Sequence, residues 1–232
     1  MNFFDSFYKK DKDQKKMNFS LEVGPHTDLE TLPPVKDVYV TMLPGGDYKE
    51  TAAKSGDLVK KGFNPVPHFP ARSILDEHQL KDFITRCKDV GTKQALVIGG
   101  SRDPIGKFDS SIQILETGFF EGIKIGIAGH PEGSPDISDK ELEKAMMDKK
   151  PYADYIVTQW LLDSQPIVDF ISKQSVPVHV GITGPMKISS LIKFANIVGA
   201  KNSINFLRSN FSKALDLLKP KDPNDLIGKV KE

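Results

Sequence analysis

Seven short polar strings punctuate this sequence, each closing an apolar run. Ser20-Leu21-Glu22-Val23-Gly24-Pro25 brings a carboxyl group, Val40-Thr41 a hydroxyl and Pro67-His68 an imidazole. Arg102-Asp103-Pro104-Ile105-Gly106 adds a cation beside a carboxylate. Ala128-Gly129-His130-Pro131-Glu132-Gly133 adds a second imidazole, Thr158-Gln159 an amide, and Gly181-Ile182-Thr183-Gly184-Pro185 a glycine-rich end. A carboxyl group in apolar surroundings can be held protonated near neutral pH and serve as a general acid. Imidazole and amide groups both donate and accept hydrogen bonds, which suits recognition of a polar heterocycle. The glycines of Ile98-Gly99-Gly100-Ser101 allow backbone to approach a ligand closely. Each residue also has a structural reading. Glu22 could sit in an interior ion pair, His68 could be a satisfied core histidine, and Asp103 could cap the turn before Pro104. His130 and Glu132 could hold a loop, and Gln159 could bond neighbouring backbone.

Other chemistries find less support. No G-x-S-x-G elbow is present, and Ser101 has no assignable base. No histidine pair has the H-x-x-x-H spacing of a helical metal site, so no metal is expected. His26, His78 and His179 read as structural or solvent-facing. The single cysteine, Cys87, excludes an internal disulfide and a multi-cysteine zinc site, and reads as a helix residue of the core.

The elements that must position these groups alternate along the chain. Apolar, β-branched runs at 18–23, 37–43, 64–69, 94–99, 124–128, 155–160 and 177–182 predict strands. Helical patterns at 48–61, 77–90, 110–117, 139–149, 166–173 and 189–198 separate most of them, and a further helix is expected over 203–218. Ser138 with Glu141 forms a capping signal, and Gly62 and Gly91 stand where helices end. Such alternation indicates βαβ units and a parallel sheet. The near-continuous apolar strands suit a sheet covered on both faces. No G-x-G-x-x-G follows an early strand, which favours a (β/α)8 barrel of the TIM type over an open dinucleotide-binding sheet. In either architecture, chemistry gathers at the carboxyl ends of the strands.

The 232 residues suffice for one such barrel: a tail over 1–16, rich in charge, then a single domain over 17–232. No eighth strand is evident, and the charged end from Lys219 trails off without one. Apolar residues at 38% and charged residues at 27% are ordinary for a folded protein. Lys plus Arg number 32 against 31 Asp plus Glu, so a generic nucleic-acid surface is not expected. No apolar run is long enough to span a bilayer and the N-terminus lacks a secretory h-region, so the expected location is the cytoplasm.

Taken in order, S-x-E-x-x-P at 20–25, V-T at 40–41, P-H at 67–68, R-D-P-I-G at 102–106, A-G-H-P-E-G-x-P at 128–135, T-Q at 158–159 and P-x-x-x-G-I at 177–182 resemble the methylenetetrahydrofolate reductase family. The likeness is collinear, one motif per strand, over roughly 17–200. It implies a barrel that reduces 5,10-methylenetetrahydrofolate to 5-methyltetrahydrofolate with NAD(P)H, commonly through FAD at the carboxyl rim, in one-carbon metabolism and methionine biosynthesis. By the same resemblance Glu22 is the acid that opens the methylene bridge, and Asp103 is the carboxylate beside flavin and pterin. Gln159 binds the pterin. Thr41, His68, Arg102, Ala128 and His130 contact the cofactor, and Phe194 is the aromatic residue near it.

The chain also departs from that pattern. Where typical members carry a histidine and a basic pair for the FAD diphosphate, it has Ser134, Met147 and Asp148, with Lys149 and Lys150 following. Direct hydride transfer from nicotinamide to the folate, without flavin, is therefore a second route. A folate-binding or regulatory paralogue without reductase activity, or a barrel acting on another one-carbon substrate, are alternatives. An open barrel edge would call for a second copy or a partner chain to cover it. Visible absorbance near the flavin bands of the purified protein is the expected outcome of the flavin route, and its absence that of the direct one.

Overall fold

The computed structural model describes residues 18–101, 103–134, 137–161, 163–184, 186–187, 189–190, 192, 220–221 and 224–231. The predicted alternation is present. Strands β1 (Ser20–Val23), β2 (Asp37–Val40), β3 (Asn64–Pro70), β4 (Gln94–Ile98), β5 (Lys124–Gly129), β6 (Tyr155–Trp160) and β7 (Val178–Gly181) form one parallel sheet in sequential order. Helices α1 (Tyr48–Lys60), α2 (Glu77–Asp89), α3 (Ser111–Leu115), α4 (Asp139–Lys149) and α5 (Ser164–Ile171) run between strands from β2 onward. Local chemistry sets their ends. Asp47 and Asp76 accept from the backbone N–H of Lys49 and Gln79, and Ser138 and Glu141 cap α4 reciprocally. Helix α2 stops where Gly91 takes φ +94°, open to glycine at little cost. Helix α5 starts two residues before the expected Pro166, because Asp163 caps it and a proline in the first turn needs no N–H partner.

Side-chain alternation divides the sheet into two faces. Val23, Val38 and Val40 face outward onto Leu58 of α1. Phe69, Ala95, Val97, Ile125, Ile127 and Ile156 pack against Leu80, Phe83, Ile84 and Cys87 of α2 and Ile114 and Leu115 of α3. Cys87 is fully buried, and desolvation pushes its thiol up to about 12, so it acts as a core residue as expected. Register places the other set inward: Glu22 opposite Tyr39 and Val66, then His68 opposite Leu96, Gly126 and Tyr155, then Ala128 opposite Val157 and His179.

The inner set proves that the sheet curls. With β3 to β6 between them, β2 and β7 would stand about 24 Å apart in a flat sheet. Yet the Tyr39 hydroxyl and His179 Nδ1 lie 2.7 Å apart, and the Tyr155 ring stacks on His179 at 4.6 Å. The result is a half-barrel of TIM type, with β1 and β7 as its edges. No eighth barrel strand occurs among the described residues.

One expectation needs correction. The tail after Lys219 does not simply trail off: Pro220–Lys221 (β9) pairs antiparallel with Met186–Lys187 (β8), and Asn224–Lys231 forms helix α6, packed against α5 with Ile227 buried. His179 is structural, one of the two readings made of it: half-buried, it hydrogen-bonds Tyr39 and stacks on Tyr155. The expected tail over 1–16 and the helix over 203–218 lie outside the described residues, as does most of that over 189–198.

Gly126 makes room for this inner packing, since a Cβ there would sit 2.5 Å from the Tyr155 ring. Gly126→Ala is expected to lower unfolding stability by about 1–3 kcal/mol, measured by urea denaturation. Gly122→Ala is no packing control, because Gly122 has φ +78°; Gly99→Ala, with open space at its Cβ, is the control expected to change little.

Candidate functional site

The inner face ends, at the carboxyl rim, in the groups singled out from the sequence. Glu22, His68 and Ala128 lie on inward positions of β1, β3 and β5, Gln159 lies in the irregular stretch of β6 between Val157 and Trp160, and Thr41 directly follows β2. Asp103 stands exposed in the loop after β4, and His130 directly follows β5. Arg102 and Phe194 lie outside the described residues.

Glu22 has no ion-pair partner among the described residues; burial alone raises its carboxyl above the ordinary range. Its edge is nevertheless open to solvent, because the inner face is concave: protein surrounds the group without covering it. Among the described residues no interior ion pair forms at Glu22, and a reachable carboxyl with raised proton affinity is what they show. His68 is 7% exposed, and its Nε2 has no hydrogen-bond partner among the described residues. Desolvation brings its pKa down to about 4, so the ring is neutral at pH 7. It is not the satisfied core histidine that one reading allowed. Gln159 reaches the Gly133 carbonyl at 3.5 Å, a long contact that leaves its amide largely uncommitted. Thr41 donates to the Val23 carbonyl at 3.2 Å, which keeps its oxygen able to accept.

Beside this rim, β5, α4 and α5 enclose a cavity of about 570 Å³. Ala128 and His130 line it, together with Lys149, which is 8% exposed and has no ion-pair partner among the described residues. Burial pulls the Lys149 pKa down. Burial, and then the Lys149 charge, bring His130 down to about 4. Met147 is 60% exposed, and Asp148 is engaged by Lys144 at 2.7 Å on the solvent side. The carboxylate at the altered position is thus neutralised within its own helix, and Lys149 is a buried cation on the cavity wall. Lys150 and Lys173 also line the wall, with Glu132, Asp139 and Glu143.

Sequence reading missed Tyr39, Tyr155 and His179 as a connected group. Alternation from Glu22 and His68 along a registered sheet is the signal that finds them. Among the described residues no cluster of His, Cys, Asp or Glu could hold a metal ion, and no helix is long and apolar enough to cross a membrane.

No family model matches the sequence. Among solved structures, an uncharacterized protein from Clostridium thermocellum that binds two copies of 5-methyl-5,6,7,8-tetrahydrofolic acid superposes with TM-score 0.56 at 12% identity, over 93% of this chain and 81% of that one. Tryptophan synthase from M. tuberculosis gives TM-score 0.48 at 13% identity, over 92% of each chain. The dehydroquinate dehydratase and shikimate dehydrogenase AroM from S. pombe gives 0.48 at 14% identity over 82% of this chain, which spans only 40% of that protein.

The histidines make the acid limb of stability specific. An unfolded imidazole titrates near 6.5, whereas folded His68 titrates near 4. Between those values the unfolded chain binds a proton that the folded chain refuses, so stability present above pH 6.5 is lost as pH falls towards 4. His68 accounts for about 3 kcal/mol of that loss, and His130 acts in the same direction. Denaturation midpoints measured from pH 7 to pH 4 should fall, and His68→Gln should flatten the slope.

Proposed function

We propose that the half-barrel binds a reduced folate at its carboxyl rim and reduces 5,10-methylenetetrahydrofolate to 5-methyltetrahydrofolate with NAD(P)H. The observation that carries this reading is Glu22: a solvent-reachable carboxyl of raised pKa, without an ion pair among the described residues, on the inner face of the sheet. The collinear motifs resembling methylenetetrahydrofolate reductase support it, and the fold shared with the folate-binding C. thermocellum protein is consistent with it.

The methylene bridge of the substrate links N5 and N10. A protonated Glu22 gives its proton to N10, the C–N10 bond breaks, and the methylene carbon remains on N5 as an iminium. Hydride addition to that carbon yields the methyl group. Glu22 then takes a proton from solvent, to which its edge is open. Raised proton affinity is what an acid facing a weakly basic amine requires. Asp103 and Gln159 provide acceptors and donors for the amino-pyrimidine edge of the pterin.

The residues present also fit a flavin dinucleotide. The Nε2 of His68 has no hydrogen-bond partner among the described residues, and the Lys149 ammonium lines a cavity without an ion pair among them, with Glu132, Asp139 and Glu143 sharing the wall. Lys149 and His130 would hold its diphosphate, with Thr41 and His68 nearer the ring. When bound, FAD would supply a two-stage route for hydride from NAD(P)H to folate; without it, nicotinamide would deliver hydride directly.

Titration with methylenetetrahydrofolate, following NAD(P)H absorbance with and without FAD, tests the reading. Glu22→Gln is expected to bind tetrahydrofolate within a few-fold of the parent while turnover drops at least about 100-fold. Unchanged turnover would remove Glu22 from the acid role. Folate binding with no NAD(P)H oxidation under either condition would instead identify a folate-binding paralogue.

A further inference from the structure

Arg72 lies outside every role considered so far, yet it grips the loop that carries Asp103 on both sides of that residue. Its backbone N–H donates to the Gly99 carbonyl at 2.9 Å, and its own carbonyl accepts from the Ile105 N–H at 3.0 Å. Its side chain donates from Nε to the Asp109 carbonyl at 2.8 Å and, more weakly, from Nη1 to the Gly100 carbonyl at 3.5 Å. One residue after β3 therefore holds the loop before and after Asp103. Two glycines allow the approach. Gly100, at φ +94°, lies where a Cβ would be 3.4 Å from Pro70 and 3.6 Å from the Arg72 Cβ. At Gly106 a Cβ would fall 1.9 Å from the Leu75 carbonyl oxygen, and next to it the Lys107 N–H donates to that same oxygen at 2.9 Å. The Asp103 side chain itself is exposed, so nothing in its own packing fixes it and the loop backbone must.

We infer that Arg72 is a positioning residue for the folate site, which sets the place of the Asp103 carboxylate through the loop backbone. A guanidinium is suited to the task, because a rigid fork can serve two carbonyls at once where a lysine ammonium holds one point. The inference rests on the proposed folate reading for its catalytic consequence, but not for its structural one. Misplacing a reacting-site group by about 1 Å can cost on the order of 100-fold in rate.

The test uses the full chain with Arg72→Ala, Arg72→Lys, Asp103→Asn and the Arg72→Ala/Asp103→Asn pair. Expected for Arg72→Ala are a fall in kcat of about 10- to 100-fold, recovery of part of it with added guanidinium ion, and little recovery in Arg72→Lys. In the double variant the Arg72 substitution should add little to the loss from Asp103→Asn, because both act on one group. Fully additive losses, or no loss in Arg72→Ala, would overturn the inference. Hydrogen exchange at the amides of 99–109 reads the clamp without any substrate: faster exchange in Arg72→Ala supports it, and unchanged exchange refutes it. If the parent protein neither binds tetrahydrofolate nor oxidises NAD(P)H, the folate reading fails, while the exchange measurement still decides the clamp.

Discussion

The hydrogen bond between Tyr39 and His179 joins strands that would be far apart in a flat sheet, so the curvature of the rim and this contact depend on each other. Because β1 and β7 are not paired with one another, backbone ladder bonds do not close the half-barrel. Inner side chains do: Tyr39 reaches across from β2, and Tyr155 stacks on His179 from β6. The bond is part-buried, so removing one partner leaves the other short of a hydrogen bond at a cost of about 1 kcal/mol. Beneath the tyrosines, Asp37 accepts from Asn64 at 3.2 Å and from Gln94 at 3.0 Å, and so ties β2 to β3 and β4. The same curvature turns Glu22 into a concave wall, which explains how one carboxyl can be both desolvated and reachable.

Much of the fold was legible in the order of apolar runs. Seven strands and their intervening helices stand within a few residues of expectation, because β-branched runs, capping carboxylates and terminal glycines act locally. The end of the chain was not: Pro220–Lys221 has no strand signature of its own and is extended because Met186–Lys187 pairs with it. For a related reason His179 stayed open between a structural and a solvent-facing place. An isolated histidine in an apolar strand carries no mark of its face until the register with Val157 is known.

The rim was legible as residue types but not as states. Sequence named Glu22 and His68, whereas the desolvation of Glu22, the burial of His68 and the orphaned nitrogen of His68 belong to the packed sheet. The altered basic positions illustrate the same limit from the other side. Read along the chain, Asp148 sets a negative charge where a cation was expected. In three dimensions Lys144 takes up that charge on the outer side of α4, and the next residue, Lys149, turns into the cavity. A helix changes the direction of its side chains by about 100° per residue, so one step in sequence decides between solvent and site.

The polar lining of the half-barrel has a thermal consequence. TIM barrels ordinarily fill this space with layers of branched aliphatic side chains. Here Tyr39, Tyr155, His179, Asn64 and Gln94 occupy inward positions. Unfolding raises the heat capacity by about 0.45 cal/mol/K for each Å² of apolar surface hydrated and lowers it by about 0.26 for each Å² of polar surface. Exchange of hydrocarbon for amide, phenol and imidazole inside the sheet therefore shrinks the heat-capacity increment of unfolding. The stability curve of such a half-barrel is flatter than that of an aliphatic-lined one of equal length, and its stability varies less across a wide span of temperature.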